Sequence, residues 1–257
     1  MGSGVLSGPP SEIRMVPFQG IPLVRPGDDL AALILVAARH ADVSLANGVL
    51  IVCQKTVSKA EGRIVDLATV EPSPEARRIA AEDHRDPRHI EVVLRESARI
   101  VRHGRGILIC ETHHGFVCAN AGVDLSNAPC SDHAVLLPKD PDASARRLRQ
   151  ALMGRGAGPL GVIVSDTFGR PWREGLVDVA LGCAGLAPIE DLRGQPDLVG
   201  RTLEVTATAT ADQLAAAAGI LMVKDAGIPA VWIDGIDLRG DGPARDLLRD
   251  PAHDLFR

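Results

Sequence analysis

The chain has no tyrosine, only four phenylalanines and two tryptophans among 257 residues. So few rings leave little on which successive bases could stack, which argues against a single-stranded nucleic-acid binder. The same scarcity means that the core must be built from valine, leucine, isoleucine and alanine. An excess of positive charge is missing as well. The formal net charge is −5, so the broad basic face needed for sequence-independent DNA binding is absent, although a local cluster can still hold a small anion. No apolar run reaches the roughly 18–20 residues of a membrane span, and no secretory signal pattern is visible. The five cysteines form no CxxC and read as free thiols of a reducing cytoplasm. No glycine-rich stretch ends in Gly-Lys-Ser/Thr, so there is no Walker P-loop. GAGPLG (156–161) matches GxGxxG in form only, because a helical pattern precedes it and a strand pattern follows, the reverse of a dinucleotide fingerprint.

What is present is a soluble globular composition, 46% hydrophobic and 24% charged. The small, polar, proline-containing start (1–12) reads as a disordered tail, and 13–257 as one domain with room for two subdomains. Apolar runs at 13–18, 47–55, 161–166, 177–189 and 228–234 predict strands. The period-two pattern of TLEVTATATADQ (202–213) predicts another. Helical patterns occur at 29–41, 74–84, 86–99, 142–154 and 211–223. Asp28 or Asp29 is placed to cap the first of these, and Asp142 the fourth. VSKAEGR (57–63) reads as a loop and GPARDLLRD (242–250) as a short helix. Strands and helices intermix without strict alternation, so the expected fold class is α/β in the mixed α+β sense, with mixed sheets flanked by helices.

Three stretches carry candidate chemistry. CETHHGFVC (110–118) offers two cysteines and two histidines, but adjacent histidines point to opposite sides of a strand, and a plain hairpin is the better reading. CANAGVDLSNAP (118–129) holds Asp124 and Asn127 in a turn-forming context. GVIVSDTFGRPWREG (161–175) ends an apolar strand in Asp166 and Thr167, then runs into Arg170 and Arg173. Carboxylates at strand ends face ligand clefts. Two of them with a hydroxyl and substrate phosphates can hold Mg2+ or Mn2+, and arginines suit phosphate or carboxylate oxygens. In QKTVSKAEGR (54–63), Lys55, Lys59 and Arg63 recur every four residues. They line a solvated face if helical, whereas in a loop Lys59 reaches a phosphate.

GIPLVRPGDDL, VSKAEGR, GFVCANAGVDLSN, LLPKDPDASARRLR, GVIVSDTFGRPWREGLVDVALGCAGL, TADQLAAAAGILM and GIPAVW follow one another along nearly the whole chain. In this combination the chain resembles the coenzyme F420-0:L-glutamate ligases, the γ-glutamyl ligases of F420 biosynthesis. The resemblance implies a family-specific mixed fold without a P-loop and a homodimer. The activity it implies is a GTP- and metal-dependent ligase that joins L-glutamate to F420-0 and can add more through γ-linkages. The chain looks like the form without a C-terminal nitroreductase-like domain. The implied metal ligands are Asp124, Asp166 and Thr167, for Mg2+ or Mn2+ at two sites, with K+ as a further cation. The implied nucleotide contacts are Ile21, Pro22, Leu23, Val24, Gln54, Lys59, Asn127, Leu221 and Met222. Gln54 replaces a usual serine or threonine, and Val223 replaces a usual glycine. Arg170 and Arg173 are candidates for the substrates' anionic groups. An amide ligase acting on another acid, a metal-dependent phosphotransferase and a non-catalytic nucleotide binder are the alternatives, and product mass separates them.

Overall fold

The computed structural model describes residues 12–126, 132–223, 226–236 and 240–254. The chain starts with strand β1 (Arg14–Pro17), helix α1 (Leu30–His40), strand β2 (Val49–Cys53) and helix α2 (Gln54–Ala60). A second group follows: β3 (Ile64–Asp66), α3 (Pro74–Asp83), α4 (Pro87–Arg95), β4 (Ser97–Gly104), β5 (Ile107–Thr112), β6 (Val117–Ala119) and β7 (His133–Val135). The chain then returns through α5 (Pro141–Met153), β8 (Gly161–Arg170), β9 (Arg173–Ala184), the two-residue strands β10 (Glu190–Asp191) and β11 (Ala207–Thr208), α6 (Thr210–Gly219) and β12 (Ala230–Asp234). No helix among the described residues is long and apolar enough to cross a membrane.

The central sheet has the order β1-β12-β2-β8-β9. Its β2–β8 pair is parallel and its other pairs are antiparallel. Side chains alternate along each strand, and here both faces are apolar. Leu50, Val52, Val162, Val164 and Trp232 pack with Ile34 of α1 and with Leu148 and Leu152 of α5. Val49, Ile51, Ile163, Val231 and Ile233 pack with Ala211, Leu214, Ala215 and Ala218 of α6. A strand buried on both faces reads as the continuous apolar run seen at β2.

The second group builds its own core. Ile79 and Ala80 of α3, Ile90 and Val93 of α4, and Leu108 and Cys110 of β5 pack together, beside the three-stranded sheet β4-β5-β6 and the two-stranded sheet β3-β7. All of it lies within the connection from β2 to β8.

Capping follows the sequence closely. Asp29 accepts from Ala32 N at the start of α1, and Ser73 and Asp86 cap α3 and α4, each followed by proline. Four expectations change. Asp140 caps α5, not Asp142. Asp142 is instead buried in the first turn, accepting from Cys183 N at 2.8 Å and Ala244 N at 2.7 Å. VSKAEGR is not a loop, since helix α2 runs through Ala60 before the chain turns at Gly62. The alternating stretch 202–213 gives only the two-residue strand β11 before α6 begins at Thr210, and its earlier backbone bonds locally, as in Leu203 N to Gln195 O. GPARDLLRD forms a 3-10 turn, Ala244–Leu247.

Two predictions come from this packing. A Cβ on Gly182 of β9 would overlap the Pro141 carbonyl at the start of α5. Gly182→Ala is therefore expected to cost on the order of 3 kcal/mol in urea unfolding; a cost below 1 kcal/mol would show that the two elements separate easily. His89, buried in α4, is held to a pKa of about 4 by burial first and by Arg85 second, against weaker opposing charges from Asp86 and Asp124. Its folded pKa lies below its unfolded value of 6.5, so the unfolded chain takes up the proton first. Stability is full above about pH 6.5 and erodes as pH falls toward 4. His89→Leu should flatten that erosion by on the order of 2 kcal/mol, measured as the difference in urea unfolding between pH 7 and about pH 4.5; identical slopes would refute the burial cost.

Candidate functional site

The parallel pairing of β2 and β8 stops at Cys53, the last residue of β2, which lies opposite Ser165 midway along β8. Carboxyl ends of parallel strands open onto a crevice in α/β sheets. A register shift between Val164 and Ser165 in the β8–β9 ladder changes the alternation just before Asp166 and Thr167, the kind of irregularity that re-aims side chains beside a site. A cavity of about 500 Å³ lies here. Its walls come from the 21–24 loop, the start of α2, the 118–124 segment, the polar end of β8, and residues 222–223 and 227–229.

Asp124 reaches the cavity from the second group of elements. Its backbone exchanges hydrogen bonds with Val135 at 3.0 and 2.9 Å. Val135 in turn pairs with Ile64 of β3, just after α2. This tethers the carboxylate to the helix that carries Lys55, and the Lys55 Nζ lies 2.6 Å from Asp124 Oδ2 and 2.9 Å from Ser126 Oγ. Burial works to raise the Asp124 carboxyl, but Lys55 and the Ser126 amide outweigh it and hold it below the ordinary value. Lys59 is 8% exposed and its ammonium is pushed below its ordinary value by burial, then by Lys55.

Asp166 behaves oppositely. Burial, with added repulsion from Asp124 and Asp178, raises its pKa to about 7, against the Thr167 amide and Lys55. Ser165 Oγ, 1% exposed on the cavity floor, has no hydrogen-bond partner among the described residues. The donors around this end are the oxygens of Asp124, Asp166, Thr167, Asp178 and Ser165, a set suited to a hard cation. Among the described residues no group of three or more His, Cys, Asp or Glu is arranged to hold a metal. A cation here would depend on two carboxylates, Asp124 and Asp166, completed by hydroxyl, substrate and water oxygens. The buried like charges and the unpartnered hydroxyl fit such a guest.

Two thiols also line the cavity. Burial raises Cys53 to about 11 and Cys118 to about 12, so both are neutral and poorly nucleophilic near pH 7, which disfavours covalent thiol catalysis. The four-ligand Cys/His alternative does not assemble: Cys110 and Cys118 pair across β5–β6, while His114 Nε2 contacts the Pro138 carbonyl at 2.9 Å.

Of the residues singled out in the sequence, Ile21, Pro22, Leu23, Val24, Lys59, Asp124, Asp166, Thr167 and Met222 line the cavity. Gln54 does not. It is 1% exposed and accepts from Ser58 Oγ inside α2. The half-buried Leu221 packs against the sheet core. Arg170 and Arg173 lie exposed at the β8–β9 hairpin end, with Arg170 donating to the Glu174 carbonyl, and neither lines the cavity. Asn127 lies outside the described residues. The cavity adds Lys55, Asn120, Ser165 and Asp178. Asp178 had one sequence signal, a carboxylate interrupting the apolar run of β9. Asn120 had none.

Two kinds of comparison bear on this site. The model of the F420-0:Gamma-glutamyl ligase family matches residues 20–235. A protein of Methanothermobacter thermautotrophicus named coenzyme F420:L-glutamate ligase is 48% identical over 95% of this chain and 99% of its own length. Proteins of the same name from Methanopyrus kandleri and Methanocaldococcus jannaschii are 46% and 39% identical, over 97% and 92% of this chain and 98% and 94% of theirs. With matches along almost its full length and a cavity built from the shared segments, the chain belongs to the F420-0:γ-glutamyl ligase family.

Proposed function

We propose that this protein joins L-glutamate to the terminal carboxylate of coenzyme F420-0 as an amide, using GTP, with further γ-linked glutamates as an extension of the same chemistry. The observation that carries the reading is the pairing of two buried or half-buried carboxylates with two lysines in one cavity, within a chain whose residues 20–235 match the family. A phosphate-bearing substrate needs cations to offset its charge, and this cavity holds them without a P-loop.

Amide formation from a free carboxylate and an ammonium is uphill, so the carboxylate must be activated. In the economical sequence, a carboxylate oxygen of F420-0 attacks the γ-phosphorus of GTP, the bond to the β–γ bridging oxygen breaks, and GDP leaves. The deprotonated amine of glutamate then attacks the acyl carbon. The C–N bond forms, the C–O bond to phosphate breaks, and inorganic phosphate departs. Asp124, Asp166 and Thr167 would hold Mg2+ or Mn2+, which when bound neutralises phosphate charge. Lys55 and Lys59 supply fixed positive charge beside the transferring group. Ile21 to Val24 and Met222 give the apolar wall against which a base or a deazaflavin ring lies. The cavity aligns two anions that repel each other in water.

Arg170 and Arg173 are assigned to anionic groups that extend past the cavity along the hairpin. That hairpin also exposes Trp172 at 79% and Leu176 at 61%, an apolar surface that supports the homodimer reading. Sedimentation equilibrium at micromolar concentration tests it, and a monomer there would remove it.

Two variants test the assignment. Asp166→Asn removes one of the mutually repelling charges, so its melting temperature should hold or rise while glutamylation falls by roughly 10²–10³-fold. The assay is mass spectrometry of F420-0 incubated with GTP, Mn2+ and glutamate. Near-wild-type rates would overturn the cation role, and GTP consumption without an amide product would point to a phosphotransferase. Lys55→Met removes the ammonium beside Asp124 and leaves the Ser126 amide on that carboxylate. It should cost about 2 kcal/mol in urea unfolding and raise the KM for GTP by roughly tenfold or more. An unchanged KM would confine Lys55 to a structural role.

A further inference from the structure

Asn120 stands at the cavity wall between Cys118 and Asp124, in a backbone that needs an explanation. Asn120, Ala121 and Gly122 all have positive φ, at 52°, 51° and 71°. Two consecutive non-glycine residues in the left-handed region are costly, and such strain clusters at binding sites. The turn is closed by Val123 N to Asn120 O at 2.9 Å, and Gly122 lies against Leu137, where a Cβ would approach Leu137 Cγ to 2.7 Å.

The side chain is oriented from behind. Arg85 Nη2 donates to Asn120 Oδ1 at 3.0 Å. A guanidinium has only donors, so the atom it meets must be the amide oxygen, and the Asn120 NH2 points the other way. Arg85 is itself fixed three times. His84, in the left-handed conformation at φ 53°, ends α3 and turns Arg85 inward. Arg85 Nη1 donates to the Gly106 carbonyl at 3.3 Å. Its Nη2 also lies 3.1 Å from His89 Nδ1, which accepts because the buried ring is neutral. Asn120 Nδ2 makes no hydrogen bond among the described residues, though its residue is only partly exposed. A strained turn and an arginine clamp thus hold a neutral donor in a cavity whose facing side chains include Asp124 and Asp166.

We infer that Asn120 is a ligand-binding residue whose NH2 donates to a phosphoryl or carboxylate oxygen of a bound substrate, and that Arg85 is the positioning residue that sets the direction of that amide. A neutral donor suits this place. It binds an anionic oxygen without forming an ion pair with the neighbouring aspartates, as a lysine would. The ligase reading enters only in naming the two ligands that carry such oxygens, GTP and F420-0.

Asn120→Asp and Asn120→Gly separate this role from a structural one. The aspartate keeps the acceptor for Arg85, so a purely structural residue would tolerate it, but it replaces the donor with a second carboxylate oxygen. Glycine removes the donor while suiting the positive φ, which preserves the fold. Binding of GTP with Mg2+ and of F420-0 is measured separately by isothermal titration calorimetry, alongside the melting temperature. The expected result is unchanged melting for both variants, roughly tenfold weaker binding for glycine and roughly a hundredfold for aspartate, in the arm whose oxygen Asn120 contacts. Loss in the GTP arm places the contact on phosphate, and loss in the F420-0 arm places it on the acceptor. Arg85→Gln should raise KM for the same ligand more than it lowers kcat, since the amide is then free to turn. Binding within twofold of wild type in both arms, with either variant folded, overturns the inference. Formation of glutamylated F420-0 by the wild type is scored independently, so failure of the ligase reading and failure of the Asn120 contact give different results.

Discussion

The parallel pairing of β2 with β8 is the constraint on which the rest of the molecule depends. Parallel neighbours cannot be joined by a tight turn and need a long crossover. Here that crossover carries an entire second group of helices and strands before α5 returns the chain to the sheet. The same pairing stops where β2 ends, with Cys53 opposite Ser165. Helix α2 leaves β2 there with its lysines, while β8 carries an aspartate and a threonine onward past that point. Because the second core is inserted between these strands in sequence, its own aspartate, Asp124, can complete the cavity.

Charge balance in that cavity is uneven by construction. Lys55 holds Asp124 ionised at 2.6 Å, whereas Asp166 is buried, faces other carboxylates and is pushed up to about 7. A buried carboxylate short of partners costs the folded state stability unless a cation or a bound ligand offsets it. Local strain follows the same logic, as the left-handed run at Asn120 shows. Both are features that folding alone would not select and that binding a charged substrate does.

Much of the architecture was legible in the residues. The continuous apolar runs of β2 and β8 predicted strands, and an aspartate at 28 or 29 predicted the cap of α1, because runs and caps act locally. VSKAEGR was misread as a loop. As a helix its lysines were expected on a solvated face, yet Lys59 is 8% exposed. No local pattern distinguishes a solvated lysine face from one turned into a charged cavity. Asp142 was expected to cap α5 because it sits at the right spacing; the preceding Asp140 takes that place, and the β9 backbone claims Asp142.

The sequence by itself determined the strands of the central sheet and the helices other than α2, the absence of a P-loop, the family resemblance, and Asp124 and Asp166 as the candidate carboxylates, since each rests on residue type and short-range order. Only the tertiary structure decided which side chains share the cavity. It brought in Lys55, Ser165, Asp178 and Asn120, and it buried Gln54 at the start of α2, packed the half-buried Leu221 against the sheet core and set Arg170 and Arg173 out on the hairpin. The reason is distance along the chain. Lys55 meets Asp124, and Arg85 orients Asn120, through contacts spanning tens of residues. Such contacts are fixed by how two cores pack around one parallel strand pair rather than by any local spacing.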